Sequence, residues 1–142
     1  MSVSILLLSC KSVQETEEIE SKGEFMLLKA KYEITDNEQI KFLMTAERLS
    51  PREGEYLPNS ENFRVEIFDE KNNLIFNSDF EMNYLMVIMD VEPKQIGEST
   101  QYEFIWNKKN NWKKQVPSGD YKARLSIPSV PDDYHIILPF KL

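Results

Sequence analysis

The strongest constraint on this chain is a period-two alternation of apolar and polar side chains, repeated in short runs. Ile40, Phe42, Met44 and Ala46 fall on one side of such a run, with Lys41 and Thr45 on the other. Phe63, Val65 and Ile67 alternate with Arg64, Glu66 and Phe68, and Tyr102, Phe104 and Trp106 with Glu103 and Ile105. Tyr121, Ala123, Leu125 and Ile127 alternate with Lys122, Arg124 and Ser126. Successive side chains of a strand point to opposite faces, so these runs read as strands with one buried side. No stretch of ten or more residues has the three-to-four spacing of an amphipathic helix.

Strands are expected over residues 25–35, 39–48, 63–69, 74–77, 84–91, 100–107, 120–128 and 135–141. Turn chemistry separates them. Asp69 to Asn73 is a hairpin loop whose asparagines tolerate positive φ, and Asn107 to Asn111 repeats that chemistry. Pro117, Ser118 and Gly119 close a later loop. Residues 84–91 differ in being apolar on both faces, as in a central strand covered twice or a strand under a loop. Together these elements predict an all-β, immunoglobulin-like, two-sheet antiparallel β-sandwich of about seven or eight strands over residues 24–142.

Charge and cysteine content narrow the possible roles. The net charge of −7 repels phosphate backbones, which argues against a nucleic-acid partner, and its sign opposes adsorption to anionic lipid. Membrane attachment would therefore need another device. The single cysteine, Cys10, excludes an intrachain disulfide and ends an apolar run over residues 3–9. That run is far shorter than the ~20 residues needed to cross a bilayer, but suits the core of an export signal. It also fits a first strand ending in a buried thiol.

Leu7, Leu8, Ser9 and Cys10 resemble the lipobox of bacterial lipoproteins, with Ser9 as the small residue before the cut. The resemblance implies acylation of Cys10, loss of residues 1–9 and attachment to the membrane through lipid. The protein would then lie in the bacterial cell envelope, facing the periplasm or the cell surface. Residues 11–23 are polar and acidic, and read as a tether or a short, marginal helix.

A second resemblance lies in the domain. Phe63 to Asp69 followed by Asn73 to Phe76 is similar to the hairpin of the BsuPI-type intracellular proteinase inhibitor family. Glu92 and Pro93 through Gly97 and Glu98, then Tyr102 to Trp106, resemble that family's next turn and its strand ending in tryptophan. Pro117 to Ala123 resembles its closing strand, in which a tyrosine packs inward and bonds back to the backbone. The resemblance covers roughly residues 39–127. It implies an immunoglobulin-like fold and, as one functional expectation, inhibition of a protease.

No catalytic constellation stands out. His135 is the only histidine, and Cys10 is assigned to lipid, so no Cys–His or Ser–His–Asp arrangement is expected. Asp132, Asp133 and His135 match no strong metal-binding spacing and read as a solvated loop. No cofactor is expected. The most distinctive stretch is 106–114, where Trp106, Lys108, Lys109, Trp112, Lys113 and Lys114 sit close together in an acidic chain. One reading makes it a partner-contact loop, with Trp112 as anchor and the lysines steering an acidic protein. The other makes it a hairpin with Trp106 in the core, Trp112 covering a sheet edge and the lysines keeping that edge soluble. Residues 50–60 form a long connection, either partner-facing or pinned to the core by Tyr56 and Leu57. The expected function is therefore a non-catalytic, lipid-anchored module that binds a protein, with proteinase inhibition as the alternative.

Overall fold

The computed structural model describes residues 17–142. Cys10 and residues 11–16 of the expected tether lie outside the described residues. The described chain forms eight strands: β1 (Ile19–Lys22), β2 (Met26–Ile34), β3 (Ile40–Arg48), β4 (Arg64–Phe68), β5 (Leu74–Asn77), β6 (Ser99–Trp106), β7 (Asp120–Ile127) and β8 (Tyr134–Lys141). They make two four-stranded antiparallel sheets, in the orders β1-β2-β3-β6 and β5-β4-β7-β8. The fold is the expected immunoglobulin-like β-sandwich.

The alternation seen in the sequence sets which side chains go inside. Ile40, Phe42, Met44 and Ala46 of β3 are fully buried, as are Val65 and Ile67 of β4 and Ala123, Leu125 and Ile127 of β7. Phe140 sits at the middle of the aromatic core. It meets Phe42 edge-on at 5.2 Å and Trp106 at 6.1 Å, and stacks on Tyr121 at 5.7 Å. Such offset and edge-on pairs satisfy the ring quadrupoles as well as burying area. Phe76 packs on both Phe104 and Trp106.

The turns follow their local chemistry. Asn72 adopts φ 66°, and Asp69 Oδ1 accepts the amides of Lys71 and Asn73, each at 2.9 Å. Tyr121 is buried and its hydroxyl donates to the Pro117 carbonyl at 2.6 Å, which fixes the loop entering β7.

Two sequence expectations are corrected. Four residues of the expected tether form β1, which pairs with the free edge of β2 from Ile19↔Ala30 to Lys22↔Leu27. A single apolar side chain, Ile19, packs on the core there, and the backbone ladder supplies the rest. The second correction concerns residues 84–91, which form no strand. Their one ladder contact is the isolated bridge between Leu57 and Met89. They add to neither sheet, although β5 and β6 both stand at sheet edges. The segment lies instead on the connection that carries the chain from β5 in one sheet to β6 in the other.

Candidate functional site

The connection between β5 and β6 carries a run of large apolar side chains in water. Leu85 is 69%, Met86 84% and Ile88 74% exposed, and Phe80, Met82, Val87 and Met89 are all exposed as well. Only Val91, at the end of the run, is buried. Strand-forming sequence usually goes inside; here nothing among the described residues covers it.

Trp112 extends this surface. It is 68% exposed and stacks on Phe80 with ring centroids 5.2 Å apart and planes 23° from parallel. At ~200 Å² for a fully exposed large side chain, the apolar residues from Phe80 to Met89 with Trp112 expose on the order of 900 Å². The largest apolar patch on an ordinary monomer is roughly 300–600 Å², and a standard protein interface takes about 800 Å² from each partner.

The loop presenting Trp112 is built from asparagines. Asn110 Oδ1 accepts the amides of Trp112 at 2.9 Å and Lys114 at 3.1 Å. Asn111 ties the loop to the end of β5: its Oδ1 accepts the Asn77 amide at 2.8 Å, and its Nδ2 donates to the Asn77 carbonyl at 3.1 Å. Trp106, 1% exposed, anchors the loop from within by donating its indole N–H to the Lys109 carbonyl at 2.8 Å. The two tryptophans of the stretch thus divide the work, one inside and one out.

Lys109, Lys113 and Lys114 are exposed and Lys108 is half-buried. None of the four forms an ion pair among the described residues, although the chain is rich in carboxylates. Lys108 and Lys113 both hold φ 66°, a left-handed backbone that suits glycine or asparagine better than a side chain of this length. The five residues singled out from the sequence therefore lie on one loop, and the structure joins that loop to Phe80 and the end of β5 through the Phe80–Trp112 stack and the Asn77–Asn111 bonds.

The apolar run was not anticipated as a surface. Its signal was already in the sequence, because a segment apolar on both faces fits no half-buried strand.

A buried polar cluster holds the base of the run. Arg48 is 1% exposed. Its Nε donates to the Pro93 carbonyl at 2.9 Å, and its guanidinium reaches Glu55 Oε2 at 2.5 Å and the Ser50 carbonyl at 3.3 Å. The Tyr134 hydroxyl donates to Glu55 Oε1 at 2.5 Å. Burial, followed by the bond to Glu55, raises the Tyr134 phenol above its ordinary pKa. This cluster fixes the long connection over residues 50–60. Leu57 is buried in the core from that connection while Tyr56 is exposed, so only Leu57 acts as the expected pin. Leu57 then exchanges both backbone bonds with Met89, at 2.8 and 3.0 Å. A shallow groove lined by Leu57, Asn62, Ile88, Met89, Glu92 and Tyr102 opens beside the run.

The residues weighed for metal binding are engaged in ion pairs. Asp132 meets Arg52 at 2.6 Å, and Asp133 meets Arg124 at 2.8 Å and His135 at 3.0 Å. Burial pushes the Asp133 carboxyl up, but the bonds from Arg124 and His135 outweigh it and hold the pKa below the ordinary value. Among the described residues, no three His, Cys, Asp or Glu side chains are grouped to hold a metal ion.

Neither a protein-family model nor a curated protein matches the chain.

Proposed function

We propose that this domain is a non-catalytic protein-interaction module of a bacterial cell envelope, anchored by lipid on Cys10. The Trp112 loop and the apolar run over residues 80–89 form its binding face. The observation that carries this reading is the exposed Phe80–Trp112 stack, together with the exposed apolar side chains that follow Phe80 in the chain. Aromatic anchors beside aliphatic side chains, rimmed by charge, are the composition of binding hot spots. Lipid attachment is supported by Ser9, Cys10 and the apolar run before them. Several buried acyl chains, at ~0.8 kcal/mol per methylene, hold a protein durably where one chain does not.

Photo-crosslinking from position 86 in native envelopes tests the binding face. A specific protein adduct that disappears with Trp112→Ala is expected; its persistence with Trp112→Ala, or its absence from position 86, refutes the assignment. Labelling with radioactive fatty acid tests the anchor: label on the wild type and none on Cys10→Ser is expected. A soluble, unlabelled wild type rules lipidation out.

Inhibition of a protease is a second reading, in line with the resemblance to the BsuPI-type family. An exposed segment outside any strand, such as residues 85–89, is open to a protease. A true inhibitor slows some protease at near-stoichiometric amounts and survives it. A broad panel left unaffected removes this reading and leaves the first.

A further inference from the structure

We propose that Met82, Met86 and Met89 form a reversible oxidation site, at which hydroperoxides turn the apolar run polar and close the binding face. The inference rests on the protein-binding reading above and gives that face a regulation.

The exposed methionines are confined to one place. Met82 is 56%, Met86 84% and Met89 41% exposed, and all three fall within eight consecutive residues. The remaining methionines among the described residues, Met26 in β2 and Met44 in β3, are core side chains at 2% and 0% exposure. Oxidation of a sulfur side chain follows its access to solvent, so the fold opens three thioethers to an oxidant and shields two. No thiol competes within the sandwich, because the single cysteine of the chain is Cys10.

The step balances with the hydroperoxide alone. A lone pair of the thioether sulfur attacks the terminal peroxide oxygen, the O–O bond breaks and the S–O bond of the sulfoxide forms. The sulfur gives up two electrons. The proton of the attacked oxygen passes to the departing one, which leaves as an alcohol or, from hydrogen peroxide, as water. The product is a polar group in place of a flexible apolar one, a change that disrupts methionine-rich interfaces. A sulfoxide pressed against an apolar partner has lost its water and finds no donor there. Leucine and isoleucine, present in the same run as Leu85 and Ile88, would give similar apolar area without this sensitivity. The bonds that hold the run, between Leu57 and Met89 and between Ser60 and Leu85, involve no thioether. Oxidation therefore changes the face and leaves the fold.

The test treats the purified full chain with hydrogen peroxide, removes the excess with catalase and maps sulfoxides by peptide mass spectrometry. Met86 is expected to oxidise first, then Met82, then Met89, with Met26 and Met44 at least about tenfold slower; in urea all five should react alike. Tm is expected to stay within about 2 °C of the untreated protein. The oxidised chain, carrying a photo-crosslinker at position 88, is then mixed with solubilised envelopes. Its adduct is expected to fall about tenfold, and to return after treatment with methionine sulfoxide reductases for both epimers. Sulfoxide at Met26 or Met44 as early as at Met86 overturns the proposal. So does an adduct unchanged by full oxidation of the three thioethers, or a loss that the reductases do not reverse or that follows oxidation of Trp112. If the adduct forms and survives oxidation, only this inference falls. If no adduct forms before peroxide, from position 86 or 88, the binding-face reading falls and its regulation with it.

Discussion

Removing Glu55 is the sharpest test of how the proposed binding face is held. Arg48 is buried to 1% exposure, and Glu55 is the only carboxylate that meets its guanidinium among the described residues. The Pro93 and Ser50 carbonyls and the Tyr134 hydroxyl are neutral partners. Glu55→Ala leaves a buried cation with dipoles alone, and breaking a buried pair in this way costs ~3–5 kcal/mol. The Glu55 side chain is itself 10% exposed, so water can reach the vacated site and the lower end, about 3 kcal/mol, is expected. For a domain of this size that lowers Tm by roughly 10 °C. Glu55→Gln keeps an acceptor for Arg48 and Tyr134 and costs about half as much. Replacing both partners, as Arg48→Met with Glu55→Leu, is expected to fall within about 1 kcal/mol of wild type, because an apolar pair needs no desolvation.

Urea denaturation of Arg48→Met, Glu55→Leu and the double that combines them gives the coupling energy directly. Hydrogen exchange gives the structural consequence. The Met89 amide, bonded to Leu57 on the connection that Glu55 fixes, is expected to exchange faster in Glu55→Ala, while the core amides of β4 change only with global stability. A loss below about 1 kcal/mol for Glu55→Ala, or additive single and double mutants, refutes the argument that this pair holds the connection.

Trp112→Ala is expected to cost only about 1 kcal/mol, the value of its stack on Phe80, whereas Trp106→Ala should cost ~3–5 kcal/mol and orphan the Lys109 carbonyl; thermal melts of the two separate anchor from core. Lys113→Gly relieves left-handed backbone and is expected to stabilise by about 0.5 kcal/mol, after the entropy that glycine adds to the unfolded chain, while weakening an acidic partner. Stability should decline in alkali, because burial pushes the Tyr102 phenol up to about 12. A raised phenol pKa favours folding below pH 10 and loses that contribution between pH 10 and 12, so about 2–3 kcal/mol should vanish there in wild type and persist in Tyr102→Phe, read by urea melts at pH 8 and 11.5.

The sandwich was legible because its strands carry their own evidence. In β3 and β7 the core-facing side chains recur at every second residue, though Leu43 and Ser126 on the opposite face are buried as well, so local sequence settles both strand and facing. The lysine loop was legible for a similar reason: Asn107, Asn110 and Asn111 announce a turn, and tryptophan among lysines is unusual in an acidic chain. β1 was not legible, because Ile19 is one apolar residue among polar ones and the strand exists through its pairing with β2. Residues 84–91 failed in the opposite sense. Their side chains favour a strand, but a strand also exists by its pairing, and these residues add to neither sheet. Arg48 was hidden too, since a charge at the end of an alternating run gives no sign that Glu55 lies across from it.

The apolar run and the lysine loop that meets it at Phe80 make sense together as a compromise between binding and self-association. An exposed apolar run invites aggregation, and proteins commonly blunt such sites with lysine. If solubility were the only task, charge of either sign would serve, and asparagine or glycine would fit the strained positions 108 and 113 with less cost. Positive charge at this one place, on a chain otherwise acidic, does something solubility does not require. On the proposed protein-binding reading, it would draw an acidic partner to this loop while copies of the chain repel one another through their net charge. The two effects have different salt dependence. Screening at about 0.5 M NaCl should weaken the partner complex and, at high protein concentration, promote self-association through the same run. Light scattering of wild type and Met86→Glu across that range separates them: self-association in the wild type alone supports this account, and identical behaviour of the two proteins contradicts it.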